Sequence, residues 1–385
     1  MECAIRGTAR VKISIAATNP CHLYPLALEL ADADALGAYY SGYPAWKLGA
    51  PAAMPVRAHS LRTNIVYGLL KFAPEKLRPN SRALFTWQDR GFDRWVGRQL
   101  AAADFVHAMP GQALATFSAA RRHGVRTVLN HATGPVREWV RIMEGEYQRV
   151  GLRLTDVCPY DSDYFGREEE EYARTDFHCV ASGIVREQLV ACGVARKRIW
   201  VVPYGADPEI FRPDSSPAPA EFRIVFAGQA GLRKGLKTLL DALTLANRPD
   251  WRVAFFGAVL GEAQHDLAAY SGATALEFHG AVPQMRLAKE LRASSVLVLP
   301  SIEEGFGLVV PQALQCGVPC IVSDRVGGKD YIRHRENGSV FPVSNVEALA
   351  AELEWWAEHP RRVSESFRWT DAAHRLIALS RAALN

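Results

Sequence analysis

At 385 residues the chain is too long for one ordinary hydrophobic core, and it suits two domains with a cleft between them. A composition of 49% hydrophobic and 22% charged residues, without a low-complexity tract or a fixed-period repeat, excludes disordered, fibrous and solenoid classes. The net charge of +4 is too small to indicate nucleic acid, and seven cysteines without CxxC spacing indicate neither a disulfide framework nor a zinc site.

Charge is unevenly placed. Between Arg57 and Arg98 nine Lys or Arg stand against three acids, which fits either a solvated surface or an anionic partner such as a lipid headgroup layer or a phosphorylated acceptor. No leader pattern is present and no apolar run reaches the roughly 18 residues of a membrane span. A cytoplasmic location is therefore expected, with any membrane contact peripheral and at the inner face of the cell membrane.

Short β-rich runs alternate with helical patterns, the signature of parallel sheets covered by helices on both faces. The runs are Val11–Ala17, Phe105–His107, Val125–Asn130, Phe177–Ser182 and Ile199–Val202. A helix over Gly111–His123 stops at Gly124. The Pro- and Ser-rich stretch Arg212–Ala220 reads as a linker. Beyond it the alternation restarts with Phe222–Ala227, Trp251–Phe256, Leu276–His279, Val296–Leu299 and Val318–Ser323. The expected fold is α/β, two doubly wound Rossmann-like domains facing a cleft. Residues 1–210, with a helix over 367–385 packed back on them, form the first domain and 211–366 the second. Gly228, Gly257, Gly280 and Ser301 follow strand ends, where parallel sheets bind ligands. Asn337-Gly338-Ser339 fits a glycosylation sequon but reads as a tight turn.

Two loops carry the chemistry. In Pro300–Ala313 a strand passes through Glu304, Gly305, Phe306, Gly307 and Leu308 into a helix with Pro311 in its first turn. Glycines permit close backbone approach, and the following helix start favours an anion. Glu304 can accept hydrogen bonds from sugar hydroxyls. In Phe226–Gly235 a strand meets a loop containing Gly228, Arg233 and Lys234. The loop has neither a Walker pattern nor a full GxGxxG, but its two cations could neutralise a diphosphate without a metal.

Together with Ile199–Phe211, Val326–Asp330 and Glu336–Gly338, these residues resemble the family-4 retaining glycosyltransferases of the two-domain GT-B fold. The resemblance implies a nucleoside-diphosphate sugar as donor, no cofactor and no metal. It implies that Glu304, first acid of a Glu-x7-Glu pattern, holds the donor sugar, and that Phe306, Gly307 and Leu308 meet sugar or diphosphate through backbone groups. Arg233 and Lys234 would hold the diphosphate. His131, after a predicted strand, would be the second catalytic candidate on the opposite wall. The sequence departs from the pattern at Gln312, where the second acid is expected, at Gln229, where an Arg is usual, and in Thr18–His22, which lacks paired glycines. Gln312 retains hydrogen-bonding capacity toward a ribose. The implied acceptor is a glycan, a lipid-linked or a small molecule. A non-catalytic nucleotide-sugar-binding partner subunit and a sugar-nucleotide epimerase are the alternatives.

Overall fold

The computed structural model describes residues 11–72, 81–158, 160, 162–214, 219 and 221–385. Most of the expected linker, 215–218 and 220, lies outside the described residues, as do Cys3, Glu75, Lys76 and Arg78.

Seven strands build a first sheet: β1 Ile13–Ala17, β2 Leu36–Ser41, β3 Val56–Ala58, β4 Phe105–Ala108, β5 Arg126–His131, β6 Phe177–Val180 and β7 Ile199–Val201. All pairings are parallel in the order β3-β2-β1-β4-β5-β6-β7. The helices of this half are α1 Leu23–Asp32, α2 Ala45–Leu48, α3 Leu61–Phe72, α4 Ser81–Gln99, α5 Leu114–Arg122, α6 Val136–Arg149, α7 Leu154–Val157, α8 Ser162–Arg174 and α9 Gly183–Ala191.

A second sheet contains β8 Arg223–Ala227, β9 Arg252–Phe256, β10 Ala275–Gly280, β11 Val296–Leu299, β12 Cys320–Ser323 and β13 Gly338–Phe341. It repeats the doubly wound order as β10-β9-β8-β11-β12-β13, again all parallel. Its helices are α10 Leu236–Ala246, α11 Gln264–Ala268, α12 Gln284–Arg292, α13 Val309–Gln315 and α14 Val346–Glu358, followed by α15 Trp369–Leu384.

Fully buried runs such as Val296–Leu299 and Ile321–Val322 form strands because both faces are covered, so no polar alternation is needed. Sequence periodicity did not single out β2, β3 or β13. Gly338, expected in a loop, opens β13 and pairs with Cys320, while Asn337 ends the preceding turn and its Oδ1 accepts from Arg333 N at 2.7 Å.

Helix α15 returns to the first half. Trp369, Ala373 and Leu376 share a core with Leu23, Leu26 and Leu30 of α1, Thr370 donates to Glu29 at 2.8 Å, and Arg375 Nε donates to Val201 O at 2.5 Å. Gln315 binds both crossing segments, its Nε2 donating to Phe211 O at 2.8 Å and its Oε1 accepting from Phe367 N at 3.1 Å.

Candidate active site

The two motif loops leave adjacent central strands, β8 and β11, at their carboxyl ends, so the topology brings them together. After β8 the chain turns at Gly228, whose φ is +143°, and passes through a single 3-10 turn, Leu232–Lys234. Gly235 then takes φ +67°, and a Cβ there would lie 1.9 Å from Pro300 O. Only glycine lets this loop close on the end of β11.

Closure places the cations against the acids of the second loop. Ile302 N donates to Arg233 O at 2.9 Å. Arg233 Nη1 lies 3.2 Å from Glu303 O, 3.4 Å from the Glu303 carboxylate and 3.6 Å from that of Glu304. Lys234 Nζ pairs directly with Glu304 Oε2, and these two side chains are only 12% and 13% exposed. Burial alone would push the Glu304 carboxyl up, but the charges of Lys234 and Arg233 outweigh it and hold the group below the usual carboxylate range. Glu303 shifts upward, because its burial outweighs the help of Arg233. Helix α6 of the first half braces the cation loop. Leu232 packs with Met143 and Tyr147, and Glu262 accepts from Tyr147 Oη at 2.9 Å and from Leu232 N at 3.3 Å.

The Glu304–Leu308 loop is pinned from three sides. Gly327 N donates to Glu304 O at 3.0 Å, Gly328 N to Phe306 O at 2.6 Å, and Ser182 Oγ of the first half to Gly305 O at 2.6 Å. A Cβ on Gly305 would stand 2.5 Å from Ala132 O and 2.8 Å from Thr133 Cα, so this glycine permits a close backbone approach of the two halves. The Phe306 side chain is buried between Tyr204 and Tyr331, with ring centroids 5.0 and 5.7 Å away. Gly307 turns at φ +84°, and Leu308 leads into α13.

Leu308 and Gln312 line a cavity of about 580 Å³ between the halves. Its other walls include His22 and Glu29 from the first half, Asp207 from the junction and Gln284 at the start of α12. The structure thus gathers Gly228, Arg233, Lys234, Glu304, Gly305, Phe306, Gly307, Leu308 and Gln312 at the carboxyl end of the second sheet. Among the described residues no group of three His, Cys, Asp or Glu is arranged to hold a metal ion.

His131 is the exception. Expected on the cleft wall, its imidazole is 1% exposed; it stacks on His178, with Nε2 3.0 Å from His178 Nδ1, and meets the edge of Tyr172. Burial first, and the neighbouring His178 second, hold its pKa well below the ordinary value, so the ring is neutral. The cause is strand alternation. Leu129 packs in the core that Tyr172 of α8 borders, whereas Val128 packs with α1 and α15. His131 therefore shares the face of Leu129, and Asn130 shares that of Val128.

Asn130 Oδ1 meets His22 Nε2 at 3.0 Å, and His22 stacks on Tyr204 at 4.5 Å. Burial, partly offset by the Asn130 contact, lowers the His22 pKa to about 4. This pair was not selected from the sequence. The available signal was the position of His22 directly before α1 and the period-2 alternation of β5.

The description "Glycosyl transferases group 1" matches residues 207–375. A D-inositol 3-phosphate glycosyltransferase of Streptomyces griseus is 30% identical over 335 residues, spanning 76% of this chain and 69% of that protein. Other curated relatives are matched over less of their length: D-inositol 3-phosphate glycosyltransferase 1 of Catenulispora acidiphila, 31% identical, over 51% of this chain and 55% of the relative, and the Arthrobacter enzyme, 36% identical, over 34% of each. Among solved structures, a glycosyltransferase from Rickettsia africae superposes with a TM-score of 0.66 at 11% identity, covering 98% of this chain and 99% of that one. Sucrose-phosphate synthase from Thermosynechococcus elongatus does so with 0.64 at 18% identity, covering 96% and 95%. With two doubly wound sheets joined at a cleft, and with these sequence matches, the chain belongs to the group 1, family-4 glycosyltransferases of the GT-B fold.

Proposed function

We propose that this protein moves a sugar from a nucleoside-diphosphate sugar to an acceptor hydroxyl, with retention of anomeric configuration and without a metal ion or other cofactor. The observation that carries the reading is the convergence of Arg233 and Lys234 on Glu304, at the carboxyl ends of β8 and β11. A diphosphate entering there would replace the Glu304 carboxylate as the partner of Lys234. The freed carboxylate would then accept hydrogen bonds from sugar hydroxyls. Both cations would stabilise charge on the leaving diphosphate as the glycosidic bond breaks.

In this reading residues 211–366 hold the donor, and residues 1–210 with 367–385 present the acceptor. Gln312, on the wall of the cavity, would hydrogen-bond the ribose as a neutral group. His131 acts as a positioning residue, holding the end of β5 whose Ala132 carbonyl abuts Gly305. Its buried ring is turned toward His178 and is almost without exposure. The acceptor is a glycan, a lipid-linked or a small molecule, and the site of action is the cytoplasm. A solved Anabaena HepE complex with UDP-glucose, alike in fold at a TM-score of 0.60 and 14% identity, supports the donor class.

The test is a thermal-shift screen against UDP, GDP, ADP, CDP and TDP, with and without magnesium. A ligand at one hundred times its Kd adds about 2.7 kcal/mol to folded-state stability. The expected result is a selective shift that does not depend on magnesium. No shift with any diphosphate would remove the donor site. A shift without transfer to any acceptor would make the protein a binding subunit, and conversion of the bound sugar nucleotide to its epimer would make it an epimerase.

A further inference from the structure

Helix α3 buries the wrong amount of apolar surface for a solvated helix. Thr63 and Val66 face inward, whereas Leu61, Ile65, Leu69 and Phe72 are 63, 41, 37 and 77% exposed. At 100° per residue those four side chains fall within an arc of about 80°, so they form one continuous stripe and not scattered exposure. Trp46 on α2, which packs on β3 directly before α3, is 80% exposed. A stripe of this kind marks an interaction surface.

The flanks say what it meets. Helix α3 has no acidic residue. Arg62 and Lys71 lie on opposite sides of the stripe in the helical projection. Lys71 Nζ is 5.3 Å from the Phe72 ring centroid, Lys47 Nζ 4.9 Å from that of Trp46, and the Arg62 guanidinium 4.2 Å from that of Trp87. Arg94 and Arg98 of α4 are exposed as well. Exposed aromatic rings that each carry a cation over one face suit the boundary between headgroups and acyl chains, where the ring meets the apolar layer and the charge meets phosphate. A protein partner would have to match an apolar ridge bordered, among the described residues of α3, by cations alone. We propose that α3, with the Trp46 corner of α2, docks on an anionic lipid bilayer.

A contact on the opposite face ties α3 to the first half. Tyr67 Oη lies 3.4 Å from Asn19 Oδ1, in the loop that leaves the carboxyl end of β1. Tyr67 projects about 160° from the centre of the stripe, so this contact holds the opposite face of α3 and leaves the stripe outward; docking through the stripe needs no helix to cross the bilayer. Among the described residues none is long and apolar enough to do so.

The experiment is co-sedimentation of the full chain with vesicles of phosphatidylcholine alone and of phosphatidylcholine with phosphatidylglycerol, at low and high salt. The wild type is expected to pellet with the anionic vesicles and to be released by salt. The variant Ile65→Ser/Leu69→Ser/Phe72→Ser should lose pelleting. Lys47→Gln/Lys71→Gln should weaken binding by about fivefold per charge removed. All these positions are exposed, so melting temperatures should match the wild type; if the triple variant melts lower, Trp46→Ser alone provides the apolar test. Absence of wild-type binding to either vesicle would overturn the proposal, as would equal pelleting of the apolar variants. A dimer in analytical ultracentrifugation that the apolar variant abolishes, without lipid binding, would overturn it in favour of self-association.

Discussion

Replacing Lys234 with Met separates the structural from the chemical role of the cation loop. Methionine keeps most of the apolar stem but leaves the Glu304 carboxylate, 13% exposed, with Arg233 at 3.6 Å as a remaining cation. Breaking a buried ion pair by removing one partner costs about 3–5 kcal/mol, and the surviving Arg233 contact reduces this to roughly 2–4 kcal/mol. In a domain of this size that lowers the melting temperature by roughly 5–15 °C. Adding Glu304→Gln removes the stranded charge, so the double variant should recover most of that loss. Activity should behave differently. Both single variants and the double variant lose a group proposed to meet the donor, and kcat/KM should fall by about 10²–10³-fold or more in each. The assay is differential scanning fluorimetry beside initial-rate transfer with the donor found by the nucleotide screen. A double variant as unstable as Lys234→Met, or a Lys234→Met enzyme with wild-type turnover, would refute the reasoning.

Gly305→Ala tests the contact between the halves. Its Cβ would meet Ala132 O at 2.5 Å, against the 3.4 Å at which ordinary contact begins, so the loops must part by 0.9 Å. Overpacking of this kind costs about 1–3 kcal/mol, and such a displacement of the donor loop can lower kcat/KM by up to ~10²-fold; unchanged melting and turnover would mean that the halves do not meet there in solution. His107→Leu tests a buried imidazole. The ring is fully buried, neither nitrogen has a partner among the described residues, and burial lowers its pKa to about 3. Below the unfolded value of about 6.5 the unfolded chain binds a proton that the folded one refuses, so stability falls as pH falls. Equilibrium unfolding at pH 7.5 and 5 should show the variant gaining about 2 kcal/mol over the wild type across that interval. Parallel curves would place a proton on the folded His107.

Local pattern carried much of the fold. Runs such as Val296–Leu299 are apolar at every position, and only a strand buried on both faces tolerates that over so short a length. The short edge strand β3, Val56–Ala58, is partly exposed and has no such run, while β13 begins at a glycine that by itself reads as a turn. Their strand character comes from the neighbour they pair with. Within the candidate site, Gly228, Arg233, Lys234 and Glu304 were legible because glycine, paired cations and a carboxylate after a strand have little local structural use. The Lys234–Glu304 pair itself was not legible, since 70 residues separate its members and only the adjacency of β8 and β11 joins them.

Residue type alone decided which groups could bind a diphosphate or a sugar; direction was decided by tertiary structure. Asn130 and His131 are consecutive, and their strand turns one toward His22 and the other into the layer beneath α8. Which neighbour faces the cleft depends on which sheet face the helices of each half cover. That assignment is made by long-range packing, which a list of adjacent residues does not contain.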